Sequence, residues 1–166
     1  RCIDFLKDAQ YQAETAYITA ECAVEIALSY LPMTLRQCPV LVIGWGRIGK
    51  CLGQILHALG ADLTVAARKD ADRAICRGLG YAAVDTARMV ETLGKYRLIL
   101  NTVPEKLLSR EQLAQCHPDC VKIDLASRTG MEGDSVIVAR GLPGVHMPES
   151  SGRLIAETYV RLCREE

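Results

Sequence analysis

The residues best suited to chemistry in this chain stand where strands end. Gly44-Trp45-Gly46-Arg47-Ile48-Gly49 is a GxGxxG run. Val40 to Ile43 precede it as a short apolar, β-branched run suited to a strand buried on both faces. Apolar residues at helical spacing follow: Ile48, Leu52, Ile55, Leu56 and Leu59, with Gly60 where a helix cap falls. Strand, glycine turn, helix is the order that gives the motif a mechanism. Gly44 permits the tight turn, Gly46 lets the backbone approach a pyrophosphate, and Gly49 lets helix and strand pack closely. The free N–H groups and positive end of the helix then face the phosphates. The chemistry indicated is dinucleotide binding; the alternative is a glycine turn in an unrelated α/β fold.

NAD sites place an acid about 20 residues after the glycines, where it binds the ribose hydroxyls. Here that position holds Arg68, followed by Lys69. An acid would repel the 2′-phosphate of NADP, whereas guanidinium and ammonium attract it. The pattern favours NADP, with NAD as the alternative and solvated turn charges as the plain reading. Asp70 reads as the cap of the next helix.

Asn101-Thr102-Val103-Pro104 follows a fourth strand, at the crevice beside the nicotinamide half of a bound cofactor. Short polar groups with a rigid proline shape such a loop, or form an ordinary turn. After a fifth strand stand Asp124, Ala126 and Ser127, grouped with the cofactor site. Asp124 lies late in an apolar strand, where a charge needs a partner, and orienting the neighbouring loops suits it better than touching substrate. Ser150-Ser151-Gly152 opens the last helix and offers an anion a helix start. No triad and no paired carboxylates stand out. His146 is the catalytic candidate, on proximity to the crevice alone. His57 and His117 read as structural or solvated.

The elements that position these residues alternate along the chain. Residues 1–31 read as one long helix or two, with Thr19 able to cap the second and Pro32 ending it. Strands are expected at 40–43, 62–67, 81–84, 97–101, 121–125 and 136–139, with helices at 48–59, 71–79, 86–93 and 109–116. An amphipathic helix at 149–164 presents Leu154, Ile155, Tyr159 and Leu162 on one face. Alternation of this kind means an α/β fold, a Rossmann-type doubly wound parallel sheet of about six strands in the order 3-2-1-4-5-6, with long N- and C-terminal helices. Residues 36–166 form the nucleotide-binding domain and 1–35 a linking helical segment. The start at Arg1, inside a helical pattern, suggests a fragment of a longer protein lacking its N-terminal domain.

Composition narrows the function class. With 166 residues and 49% apolar content the chain builds a real core, and its formal net charge is zero. Neither nucleic acid nor an anionic membrane is indicated as a partner, and no apolar run approaches the ~18 residues of a membrane span. Eight cysteines without a CxxC pair read as buried thiols of a cytoplasmic protein. Cys116-His117-Pro118-Asp119-Cys120 lacks a second ligand pair, so no metal is expected.

Tyr17-Ile-Thr-Ala-Glu21, Val40 to Gly49, Ala67-Arg68-Lys69, Asn101-Thr-Val-Pro104, Ile123-Asp-Leu-Ala-Ser127 and Gly141-Leu-Pro-Gly144 occur in this order. Together they resemble the dipicolinate synthase family, from Thr15 onward, in the C-terminal nucleotide-binding domain of its first subunit. That domain is similar to the cofactor domain of D-2-hydroxyacid dehydrogenases. The resemblance implies an NADP-linked oxidoreductase that forms pyridine-2,6-dicarboxylate, the calcium chelator of bacterial spores, by hydride transfer from a small dicarboxylate precursor. It further implies a flavoprotein-like second subunit, an N-terminal domain that closes over the substrate, and a homo-oligomeric full-length protein. Two segments depart from the family pattern. Thr129 to Ser135 is too short for the family's helix, and Pro148-Glu-Ser-Ser-Gly152 replaces a Pro-Lys-Thr-Ala-Gly-like run. Another dehydrogenase of 2-hydroxyacid or methylene-tetrahydrofolate type, or a non-catalytic nucleotide-sensing or docking domain, are the alternatives.

Overall fold

A computed structural model describes residues 4–164. Six strands, β1 (Pro39–Ile43), β2 (Asp62–Ala66), β3 (Ala82–Val84), β4 (Leu98–Asn101), β5 (Val121–Asp124) and β6 (Val136–Val138), form one parallel sheet. Their order is β3-β2-β1-β4-β5-β6, the doubly wound order expected from the alternation. The switch of direction falls between β1 and β4, which opens the crevice at their carboxyl ends.

Side chains of β1 alternate between two cores, as strand geometry requires. Val40 and Val42 point into a cluster with Leu52 and Leu56 of α2 (Arg47–Ala58) and Ala20, Ala23 and Ala27 of α1 (Ala9–Tyr30). Leu41 and Ile43 point to the opposite face, against Met89, Leu93 and Tyr96 in and just after a 3-10 segment, Leu113 of α4 (Arg110–Leu113), and Met131. Small residues along α1 let its backbone lie close to α2 and the sheet. The remaining helices are α3 (Asp70–Gly78), α5 (Leu142–His146) and α6 (Pro148–Arg164).

Several local expectations need correction. The N-terminal helix is continuous over Ala9–Tyr30, and Thr19 is not a cap: its hydroxyl donates to the Thr15 carbonyl at 2.7 Å inside the helix. The helix expected over residues 1–3 lies outside the described residues. Asp70 is not the cap of α3 but its first residue, with Lys69 at the cap position and no side-chain cap bond. The helix expected at 86–93 is a 3-10 segment, Met89–Lys95, in which the Thr92 hydroxyl donates to the Met89 carbonyl at 2.8 Å. α5 has no counterpart among the expected helices; Gly141, with φ of 65°, turns the chain and Pro143 fits the first turn of the helix. On α6 the inward stripe is Leu154 and Thr158, whereas Ile155 and Tyr159, expected on the packed face, are exposed.

Candidate functional site

The glycine turn has the geometry its motif requires. Gly44 sits at φ 102°, a conformation that side chains other than glycine's rarely adopt, and any Cβ there would meet the Thr102 hydroxyl at 2.5 Å. A Cβ on Gly49 would collide with the Gly44 carbonyl oxygen, so the start of α2 lies directly on the turn. Gly46 differs: a Cβ there would meet nothing within 4 Å. The space beside Gly46 is open because no protein group fills it, although it lies at the N-terminus of α2, where no side chain caps the free N–H groups. That is the arrangement a pyrophosphate fits, and the residues present suit a dinucleotide.

From this cradle a cavity of about 290 Å³ runs along the carboxyl edge of the sheet, lined by Gly44, Trp45, Gly46, Arg68, Lys69 and Asp72, with Thr86, Val103, Glu105 and Leu107 across it. Arg68 and Lys69 are exposed at its rim, the two cations following β2 as the sequence pattern placed them. Arg47 is exposed beside Gly46, and Ile48 turns inward against the core. The Trp45 ring packs edge-on against Tyr81 with centroids 6.0 Å apart, and its buried indole N–H has no hydrogen-bond partner. Trp45 therefore serves partly as a wall.

Arg73 had no signal in the sequence. Its guanidinium donates to the carbonyls of Ala67 at 2.6 Å and Arg68 at 2.8 Å, pairs with Asp85 at 2.9 Å, and bonds Asp70. One side chain thus ties the end of β2, the start of α3 and the residue after β3 together. The backbone that carries Arg68 is held in place by it. Asp72, Thr86, Glu105 and Leu107 also escape sequence reasoning, because they reach the cavity from separate loops.

The loops after β4 and β5 are knotted by Asp124, which is fully buried. One carboxylate oxygen accepts from Asn101 Nδ2 at 3.0 Å and Ala126 N at 3.1 Å; the other accepts from Gly130 N at 2.7 Å and Met131 N at 3.2 Å. Asn101 in turn accepts from Val103 N and donates to the Val103 carbonyl, both at 3.1 Å. The Thr102 hydroxyl donates to the Ile43 carbonyl at 2.9 Å, joining this loop to β1 beside Gly44. Asn101, Thr102, Asp124 and Ala126 are thereby brought together as a scaffold, with Val103 on the cavity and Pro104 and Ser127 exposed. Gly130 matters here as well. A Cβ on it would collide with Asn101 Nδ2 and meet the Glu105 carbonyl oxygen at 2.8 Å, so the short 129–135 segment passes directly over the β4 loop.

The structure does not bring His146 to this cavity. Its Nδ1 lies 2.9 Å from a Glu25 carboxylate oxygen, in a second cavity between α1, β6 and α5. His57 packs against the Tyr81 ring at 5.0 Å, and His117 Nδ1 accepts from Asp119 N at 3.1 Å. Among the described residues no group of three or more His, Cys, Asp or Glu is placed to hold a metal ion, and no helix is long and apolar enough to cross a membrane.

No protein-family model matches the chain. The first subunit of Bacillus subtilis dipicolinate synthase is 29% identical over 155 residues, which are 89% of this chain and 52% of that protein. The crystal structure of the Bacillus subtilis protein superposes with a TM-score of 0.89 and 25% identity, over 98% of this chain and 57% of that one. The transhydrogenase of Sinorhizobium meliloti shares the fold, with a TM-score of 0.82 and 20% identity over 98% of this chain and 57% of its own. The chain spans about half the length of the curated relative it matches. The likeness read from the motifs extends over 89% of this chain in sequence and 98% in structure, and over that extent the chain is similar to the first subunit of dipicolinate synthase.

Proposed function

We propose that this chain is the NADP-binding domain of an oxidoreductase of the dipicolinate synthase type. The observation that carries the reading is the open cradle at Gly46, continuous with a cavity that ends at Arg68 and Lys69. A dinucleotide whose pyrophosphate rests on the α2 N-terminus would extend its ribose toward those cations. There a 2′-phosphate meets two positive charges and no carboxylate on the turn itself. Asp72 stands further along the same rim and would weigh against a second negative group placed deeper.

The bound nicotinamide would supply hydride acceptance or donation. The chain's own residues would bind and orient: Gly46 and the α2 amides the phosphates, Arg68 and Lys69 the ribose end, and the Asn101–Val103 loop the edge of the cavity nearest β4. The proposed substrate is a small ring dicarboxylate oxidised toward pyridine-2,6-dicarboxylate. Its binding groups would come from an N-terminal domain and a second subunit, consistent with a likeness that spans 52% of the relative. Residues 36–166 form the cofactor domain in this reading, and 1–35 the link. His146, paired with Glu25 in the second cavity, is given neither a catalytic nor a cofactor-binding role in this reading.

Calorimetric titration of this chain with NADP(H) and NAD(H), repeated on Arg68→Ala, tests the reading. Arg68 pairing with a phosphate is worth about 1.5–3 kcal/mol, so the substitution weakens NADP binding roughly tenfold or more and leaves NAD binding nearly unchanged. Equal binding of both cofactors, unaffected by Arg68→Ala, would refute the phosphate assignment while leaving the pyrophosphate cradle standing. Failure of both to bind would overturn the cradle.

A further inference from the structure

The strand that leads to the two cavity cations runs out before it reaches them. Past the Ala66–Val84 pair the β2–β3 ladder extends only to Ala67, whose N–H donates to the Val84 carbonyl at 3.1 Å. Arg68 and Lys69 then turn into α3, whose start no side chain caps. Arg73 holds this turn with both its backbone and its side chain. Its N–H donates to the Lys69 carbonyl at 3.1 Å, and its guanidinium to the carbonyls of Ala67 at 2.6 Å and Arg68 at 2.8 Å. The same guanidinium pairs with Asp85 at 2.9 Å and with Asp70. Asp85 is braced in turn by the Ala87 N–H at 2.9 Å, and Thr86 between them lines the same cavity as Arg68. One planar fork therefore joins the wall that bears the cations to the segment that carries Thr86.

We infer that Arg73 is a positioning residue for the 2′-phosphate of NADP: it sets the preference for NADP over NAD by fixing the turn beneath Arg68, without touching the cofactor. The inference rests on the NADP reading given above. Arg73 is not itself a phosphate ligand. Its side chain is only 11% exposed, four acceptors already occupy it, and the carboxylates of Asp70 and Asp85 offset its charge. Arg68, by contrast, is exposed and free to meet a ligand. A long side chain on a loose turn gives up freedom on binding that a fixed turn has already given up, so the clamp strengthens whatever Arg68 binds. NAD has no 2′-phosphate and gains nothing from it, and the pyrophosphate end rests on Gly46 and the α2 amides, away from the clamp. Charge alone gives the opposite sign at Asp85. Removing a carboxylate near the cations would strengthen NADP binding by attraction, whereas removing an anchor of the clamp weakens it.

The test is calorimetric titration with NADP and with NAD of the parent, Arg68→Ala, Arg73→Lys and the double variant, with Asp85→Ala as a second probe. Lysine keeps the charge, but a single ammonium cannot span two carbonyls and Asp85. Arg73→Lys should weaken NADP binding about five- to thirtyfold, the factor that ordering one residue's backbone on binding amounts to, and change NAD binding by less than about twofold. In the Arg68→Ala background the same substitution should change NADP binding by about twofold or less, because the residue it acts through is gone. Asp85→Ala should also weaken NADP binding and spare NAD, and it decides the matter if Arg73→Lys does not fold. Three results would overturn the inference: an unchanged NADP-to-NAD ratio in Arg73→Lys, an effect as large without Arg68 as with it, or NADP binding that Asp85→Ala leaves unchanged or tightens. A fall in NADP binding on Arg68→Ala would in each of those cases leave the NADP reading standing. A parent that binds both cofactors alike, with Arg68→Ala inert, would overturn that reading and this inference together.

Discussion

Asp124→Asn replaces the centre of the knot by its closest isostere, and its cost can be worked from the hydrogen bonds. Each carboxylate oxygen accepts from two N–H donors, Asn101 and Ala126 on one side, Gly130 and Met131 on the other. Whichever way an asparagine amide is turned, its NH₂ group faces two donors and accepts from neither. Two N–H groups in a fully buried site lose their partner, at about 1–3 kcal/mol each, which sums to roughly 2–6 kcal/mol. A domain of this size has a total stability of about 5–15 kcal/mol, so the variant loses a large share of it. The expected fall in Tm is roughly 4–24 °C, taking about 2–4 °C per kcal/mol for a chain of this length. Urea unfolding followed by circular dichroism checks the figure, with an unchanged m-value required for the difference to be read as stability. A loss below about 0.5 kcal/mol would mean that the loops relax around an amide, and the carboxylate would then not be what holds them.

The glycine motif yields a paired prediction. Gly49→Ala forces a Cβ onto a backbone oxygen and should cost about 1–3 kcal/mol of stability, whereas Gly46→Val, with nothing within 4 Å, should unfold like the parent. Gly46→Val should nonetheless weaken dinucleotide binding at least ~tenfold, because its side chain occupies the cradle; unimpaired binding in calorimetry would refute the assignment of that space to phosphate. A second prediction concerns acid. The hydrogen bond from Arg161 of α6 holds Asp8 below its ordinary value of 3.8, aided by the Tyr11 N–H at the start of α1. A depressed carboxylate contributes stability that is present above the unfolded value and lost as pH falls through the folded one. Thermal scans should therefore show α1–α6 docking weakening below about pH 4, and Asp8→Asn, which keeps a helix cap, should be less stable near neutrality and should lose that part of the acid dependence. Identical acid profiles in the two proteins would show that the pair adds nothing.

How much of this was legible in the sequence depends on how local the cause is. Gly44 and Gly49 could be read because the turn and the helix contact are demands of the backbone within six residues. The sheet order followed from alternation, since parallel strands joined by helices admit few topologies. Asp70, by contrast, looked like a cap and is the first helical residue, because Arg73 draws its carboxylate along the helix. Ile155 and Tyr159 fit a helical stripe equally well, but α6 rests on α1 through Leu154 and Thr158, and the choice between adjacent stripes is made by the neighbour.

The knot and the clamp show the same limit at the site. Asp124 could be recognised as a charge in need of partners, yet the partners are three backbone amides and one side-chain amide rather than a cation. Two of those amides belong to Gly130 and Met131, in the segment that looked merely too short for a helix. That shortness is what lets Gly130 lie against Asn101 and the Glu105 carbonyl, where a longer excursion would leave the carboxylate without half of its donors. Arg73 works in the same way on the other side of the cavity, bonding carbonyls five and six residues back and an acid after β3. Motif spacing pointed to Gly44, Trp45, Gly46, Arg68, Lys69 and Val103, which line the cavity. The groups that hold those in place gain their roles only from chain crossings at the sheet edge, and a linear pattern carries no trace of a crossing.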